Sequence, residues 1–316
     1  MKRLTCVLLI AALLLCGCAS APQNEETDAP VKIGALTGPT AMGMAELLKN
    51  TEDYEFTLSA DPAAFAGALA KGEIDLAAVP ANLASVIYNN TNGAVEVLAI
   101  NTLGVLYIVE RGDTVQSFAD LAGKTLYATG AGAAPEYALR YLLGENGVNP
   151  DDLTIQWCAD TTEALSYISN DENAVAMLPQ PFVTAAQLQV ADLRVAIDLN
   201  AEWEKLDNGS AMVTGVLVAR RDFAENNPEK LAKLMDAYAQ SVDFVQNNLQ
   251  ETADIIGQFE IVKTPIALKA LPYCNITFIT GEEMKTAMEG YLQVLYDMNP
   301  AAVGGKLPES DFYHGA

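Results

Sequence analysis

Hydrophobic positions are distributed along this chain in two ways. Behind Lys2 and Arg3, Leu4 to Leu15 is a short, almost wholly apolar run that leads into Leu15-Cys16-Gly17-Cys18. A positive start, a short apolar stretch and a small residue before the cleavage point predict a secretory signal peptide over residues 1–17. The run is too short for a membrane span, which needs about 20 apolar residues. Residues 19–30 are polar and without period, so residues 18–30 read as a flexible tether. From Val31 onward the pattern alternates between strand and helix. Val31 to Leu36 is a short apolar strand, Ala41 to Lys49 has helical spacing, and Glu55 to Leu58 reads as strand. Asp61-Pro62 is an N-cap followed by Pro at the first helical position, and Lys71-Gly72 closes that helix. Ile74 to Val79 is apolar enough to be a strand buried on both faces. Such alternation predicts an open, largely parallel sheet flanked by helices. In the last third, Glu229 to Asn247 and Glu282 to Met298 are long amphipathic helices.

The pattern also repeats. Asp61 to Pro80 and Asp160 to Pro179 have the same separation, and each encloses a helix followed by an apolar strand. Upstream of each lies a strand ending in Thr-Gly, at Thr37-Gly38 and Thr129-Gly130, and then a helix. Generic α/β grammar produces such a pattern too. Read literally, it means two similar α/β lobes, each offering the loops at the carboxyl ends of its strands, where open α/β sheets bind ligands.

Composition narrows the class. The 316 residues are 51% apolar and 19% charged, enough for two ordinary globular domains. The net charge is −23, and a surface that acidic repels phosphate backbones, which excludes nucleic acid as a partner. Of the five cysteines, Cys6 and Cys16 lie in the leader and Cys18 directly follows it. Cys158 and Cys274 fall in different halves of the repeat and are expected as separate buried thiols.

Leu15-Cys16-Gly17-Cys18 resembles the lipobox of bacterial lipoproteins. That resemblance implies cleavage before Cys18, acylation of its thiol, and a mature protein held by lipid to the outer face of the cell membrane. The mature chain resembles the type II solute-binding proteins of ABC transporters, in the branch that handles alkanesulfonates, nitrate and thiamine-pyrimidine precursors. The matching stretches are Val31 to Leu36, Leu69 to Ala77, Ser117 to Thr125, Val213 to Phe223 with the helix opening at Pro228, and Val303 to Pro308. The resemblance implies a two-lobed fold with a ligand cleft between the lobes. Lobe 1 would be residues 31–113 and 213–316, and lobe 2 residues 114–212. It also implies a monomer that closes on a small organic ligand and is recognised by a membrane permease with its ATPase. A ligand-sensing lipoprotein acting on a receptor is the alternative. A relative of the thiamine-pyrimidine-synthesising enzymes is a more distant one.

The candidate ligand residues follow strands. In lobe 1 they are Thr37, Gly38, Pro39 and Thr40, then Pro80, Ala81 and Asn82, then Thr102. In lobe 2 they are Thr129, Gly130, Ala131 and Gly132, then Asp160 and Gln180, with Thr214 at the return crossover. The loop Thr129 to Ala133 precedes a helix that opens at Pro135, so free N–H groups and the helix dipole favour an anion there. No Lys or Arg occupies any of these loops, which leans towards a neutral or singly charged ligand. Asp160 either faces a cationic or N–H-rich group or caps the helix starting near Thr161, the commoner role. Trp157, Phe182 and Tyr137 are candidates for stacking, and Trp203 reads as surface or lid. An enzyme is not expected. The only histidine is His314, near the C-terminus, and the sequence has no Gly-x-Ser-x-Gly elbow and no His/Cys cluster for a metal. No cofactor is expected.

Overall fold

The computed structural model describes residues 29–316. The leader, Cys18 and the tether up to residue 28 therefore lie outside the described residues. In chain order the strands are β1 (Val31–Leu36), β2 (Tyr54–Ser59), β3 (Leu76–Pro80), β4 (Val95–Leu103), β5 (Leu106–Glu110), β6 (Thr125–Ala128), β7 (Thr154–Trp157), β8 (Val175–Pro179), β9 (Arg194–Asp198), β10 (Val213–Arg220) and β11 (Ile276–Ile279). They form two sheets. One has the order β11-β4-β10-β3-β1-β2 and the other β7-β6-β8-β5-β9.

The two sheets have one plan. In the first, β1 runs parallel to β2 and β3, while β10 runs antiparallel to β3 and β4. In the second, β6 runs parallel to β7 and β8, while β5 runs antiparallel to β8 and β9. Each sheet thus takes its antiparallel central strand from the segment that enters from the other lobe. β11 is an added edge strand on the first. This is a mixed α/β, two-lobed architecture.

The lobe boundary expected after residue 113 falls earlier. Leu106–Glu110 pairs with β8 and β9, so the chain enters the second lobe at Gly104-Val105 and returns between β9 and β10. Residues 95–110 are buried almost without interruption, and hydropathy alone gives no sign of a change of sheet within them.

Alternate residues of each strand feed different cores. Leu76, Ala78, Leu98 and Leu217 pack with Met42, Leu47, Tyr238 and Ile256 on one face of the first sheet. Tyr107, Val109, Ala176 and Leu178 pack with Ile168 and Leu193 on one face of the second. The remaining faces join a single cluster that runs through both lobes and includes Ile100, Ile108, Trp203, Tyr291 and Leu295. Both faces of each sheet are therefore covered, as parallel strands require. The two long helices expected near the C-terminus are present at Pro228–Asn247 and Gly281–Met298, both on the first lobe.

The C-terminal tail is tied into lobe 1. Tyr313 forms a bridge with Val97, the His314 amide donates to the Val97 carbonyl, and Arg221 holds the Asp311 carbonyl at 2.7 Å.

Candidate functional site

A cavity of about 460 Å³ opens between the two sheets, within the range of about 300–1,000 Å³ typical of small-molecule sites. Its walls come from both lobes. Pro80, Asn82, Leu83, Val213 and Thr214 belong to the first, and Leu106, Thr129, Pro135 and Pro179 to the second. Three helices begin at it, Ala63–Lys71, Ala81–Asn90 and Ala134–Glu145. The equivalent prolines Pro80 and Pro179 end the third strand of each sheet and face the antiparallel partners Gly215 and Leu106. A larger cavity of about 670 Å³ lies on lobe 1 alone, beside Lys71, Arg220 and Arg221. All three cations there are paired with carboxylates, at 3.0 Å in the case of Arg220 and Asp222. The interlobe cavity is the candidate site, because of these two it is the one that receives side chains from both halves.

Of the residues expected from the sequence, the cavity brings together Pro80, Asn82, Thr129 and Thr214. The rest sit elsewhere. Thr40 is buried and donates to the Leu36 carbonyl at 2.9 Å, in the short helix Pro39–Met42 that Gly38 opens. Thr102 is buried and bonds Asn101 at 3.1 Å. The Gln180 side chain is turned inward to accept from Thr184. Asp160 has the capping role. Its carboxylate accepts from the Glu163 amide at 2.9 Å, and Glu163 returns the bond to the Ala159 amide at 2.7 Å.

The glycine loop of lobe 2 is also internally satisfied. The Gly132 amide donates to Glu136 Oε2 at 2.7 Å, and Arg140 Nε donates to the same carboxylate. Burial works to raise the Glu136 carboxyl, but the Gly132 amide and Arg140 outweigh it and hold it below the usual range. A carboxylate of the chain thus occupies the place expected for an anionic ligand. Asp61 does the same at the start of Ala63–Lys71, accepting from the Ala63 amide at 2.9 Å.

Sequence reasoning missed much of the apolar wall, including Val105, Leu106, Met212 and Tyr291. Tyr291 lies on a long helix whose period announces burial and gives no hint of the cleft. None of the aromatics singled out lines the cavity. Trp203, expected at the surface or in a lid, is fully buried, donates to Ser210 Oγ at 2.8 Å, and packs against Tyr141 and Tyr291. Burial pushes the Tyr291 phenol far up, so it stays neutral.

The crossover behind the cleft is held by side-chain amides. The Gly104 amide donates to Asn200 Oδ1 at 3.0 Å, and its carbonyl accepts from Asn275 Nδ2. A Cβ on Gly104 would lie 2.8 Å from Met212 Sδ and 2.9 Å from Asn200 Oδ1, so glycine is required by close approach.

Among the described residues no group of His, Cys, Asp and Glu is arranged to hold a metal. Cys158 and Cys274 are separate, buried and free. Burial pushes the Cys274 thiol up to about 12, which keeps it protonated. No helix among the described residues is long and apolar enough to cross a membrane.

Several known proteins share this arrangement. The structure is similar to a crystal structure described as an ABC transporter from Parabacteroides distasonis, with a TM-score of 0.78 and 23% identity, covering 90% of this chain and 99% of that one. It is also similar to the periplasmic aliphatic sulphonate binding protein of Escherichia coli, with a TM-score of 0.70 and 15% identity, covering 89% and 92% of the two chains. A Brucella abortus (strain 2308) protein described as a candidate binding protein is 22% identical over 213 residues, covering 66% of this chain. The chain spans 64% of the length of that relative. The family described as NMT1/THI5 like matches residues 55–252, which takes in β3 to β10 and so strands on each side of the cavity, and the chain belongs to that family.

Proposed function

We propose that this protein is the extracytoplasmic solute-binding component of an ABC importer. It captures a small organic molecule in the interlobe cavity and delivers it to a membrane permease. The observation that carries the reading is the cavity itself, walled by both lobes at the carboxyl ends of strands β3, β6 and β8. Ligand contacts made from both sides favour the closed arrangement, and closure is the signal a permease reads. Gly104, gripped by Asn200 and Asn275, is the pivot of that motion. The similar proteins described as an ABC transporter and a sulphonate binding protein support the reading. Energy comes from the partner ATPase, so the chain needs no nucleotide site and no catalytic group. The reading has the mature chain outside the cytoplasm, held by lipid on Cys18 as the likeness of Leu15-Cys16-Gly17-Cys18 to a lipobox implies, and acting as a monomer.

Native mass spectrometry of the processed chain, extracted from membranes in mild detergent, tests this. The expected result is one small molecule per chain, released on denaturation. A smaller scattering radius with ligand than without would accompany it. A radius that is unchanged by saturating ligand would count against closure.

A further inference from the structure

The walls of the cavity carry no charged side chain. They are formed by prolines, Leu83, Val105, Leu106, Met212, Val213 and Tyr291, with Asn82, Thr129 and Thr214 as the polar groups. An anion bound here would find no cation, and two of the three helix starts already hold a carboxylate of the chain, Asp61 and Glu136. The third, at Ala81–Asn90, has no acidic residue and no side-chain cap, and it alone would have to offset an ionic group. Desolvating an ion without a partner is costly, and a net charge of −23 further repels anions. A cation fares no better, since no carboxylate lines the wall and Tyr291 is the only aromatic there. Thr129 and Thr214, by contrast, line the cavity from opposite lobes, and neither hydroxyl has a hydrogen-bond partner among the described residues.

We propose that the ligand of this cleft is an uncharged, largely apolar organic molecule with one or two hydrogen-bonding groups, read by Thr129 from one lobe and Thr214 from the other. This rests on the solute-binding reading above and separates this chain from relatives that are described as binding sulfonates. Uncharged ligands gain from the apolar walls and lose little on entering. Bridging by two hydroxyls from different lobes makes each hydrogen bond a contribution to closure as well as to affinity.

The test uses the processed full chain and matched pairs of probes that share a skeleton. The pairs are nicotinamide and nicotinate, uracil and orotate, and benzamide and benzenesulfonate. Calorimetry and thermal shift are run on each pair. In parallel, the chain is incubated with a small-molecule cell extract and any bound species is identified by native mass spectrometry. The expected outcome is that every bound species is uncharged and that the neutral member of any binding pair is at least about tenfold tighter. That factor corresponds to about 1.4 kcal/mol. Thr129→Val and Thr214→Val, which keep the side-chain shape, should each weaken the bound species by about 2- to 12-fold, the worth of one hydrogen bond. A tighter anionic member, or an anion captured from the extract, overturns the inference and leaves the solute-binding reading standing. Neutral binding untouched by either valine variant overturns the assignment of the two threonines. A chain that binds nothing from either source overturns the solute-binding reading, and this inference with it.

Discussion

Apart from the added edge strand β11, the two lobes share a strand order and every pairing sense, yet their strands are not interchangeable residue for residue. Ala35 pairs with Ala78 in lobe 1, and Ala128 pairs with Met177 in lobe 2. Ala78 and Met177 stand equally far before Pro80 and Pro179, so Ala35 is the counterpart of Ala128. It follows that Leu36, not Thr37, corresponds to Thr129. The Thr-Gly repeat that catches the eye in the sequence is therefore out of register by one residue. A shift of one residue turns a strand's side chains to the other face. Thr129 lines the cavity, whereas Thr37 is absent from its wall. The same alignment makes Gly34 the counterpart of Tyr127. In lobe 1 the missing side chain lets Phe65 from the neighbouring helix lie against the strand. In lobe 2 the strand supplies the ring, and Tyr127 stacks on Tyr167 at 4.1 Å between centroids. One architecture thus fills the same layer with an aromatic from the helix in one case and from both elements in the other.

The largest predicted effect breaks what the lobes hold in common. Trp203 sits between Tyr141 of lobe 2 and Tyr291 of lobe 1, with centroids at 4.7 and 5.6 Å. Trp203→Ala should cost about 3–5 kcal/mol, the usual range for emptying a buried aromatic site. Urea denaturation gives the size. Hydrogen exchange tells whether the lobes are independent. Because one core cluster spans both, protection should fall in β1 and β3 as well as in β6 and β8. Loss confined to lobe 2 would mean that the shared cluster does not couple them.

A smaller change sharpens the difference between them. An alanine Cβ at Gly34 would lie 2.5 Å from Phe65 Cδ1 and 2.9 Å from Ile74 Cδ1. Gly34→Ala should therefore cost about 1–3 kcal/mol through overpacking. Gly34→Ala combined with Phe65→Leu should recover part of that loss, since the clash is with the ring. No recovery in the double variant would place the strain at Ile74 rather than at the ring.

What could be read from the sequence follows from these particulars. The alternation of elements, the helix closed by Lys71-Gly72, the two long C-terminal helices and the separate thiols were all legible, because each depends on local period or on one punctuating residue. Asp160 was legible as a cap for the same reason. The cleft was only half legible. Pro80, Asn82, Thr129 and Thr214 follow from the rule that ligand loops end strands, but Leu106, Met212 and Tyr291 reach the cavity through the crossover and through packing between lobes. Their positions depend on which sheet β5 joins, and residues 95–110 are too uniformly apolar to say. The fold-back of Glu136, in the first turn of the helix, onto the Gly132 amide is a tertiary detail of the Gly130 loop that the sequence does not announce.

The smallest predicted effects are electrostatic, and they carry opposite signs in the two lobes. In lobe 2, Glu110 accepts from the Thr114 and Val115 amides at 2.9 Å and is paired with Arg194. Burial acts to raise its carboxyl, but these bonds outweigh it and hold it below the ordinary value. A depressed carboxyl stabilises the fold above its unfolded value of about 4.3 and loses that contribution as pH falls through the folded value. Lobe 2 should therefore weaken in acid, and Glu110→Gln should be less stable at neutral pH and flatter below it. In lobe 1, His314 Nδ1 lies 3.2 Å from Glu96 Oε1, and that bond raises the imidazole above its ordinary value despite partial burial. The sign reverses. The contribution is full below about 6.5 and is lost as pH rises through the folded value. With His314 43% exposed, solvent screens the pair and the effect is small. It is nevertheless clean to measure, because the chain has a single histidine. One imidazole resonance in the proton spectrum should titrate above 6.5 in the parent chain and return towards 6.5 in Glu96→Gln. A parent midpoint at or below the ordinary value would remove the His314–Glu96 pair from the contacts that stabilise lobe 1 and with it the contrast in sign between the lobes.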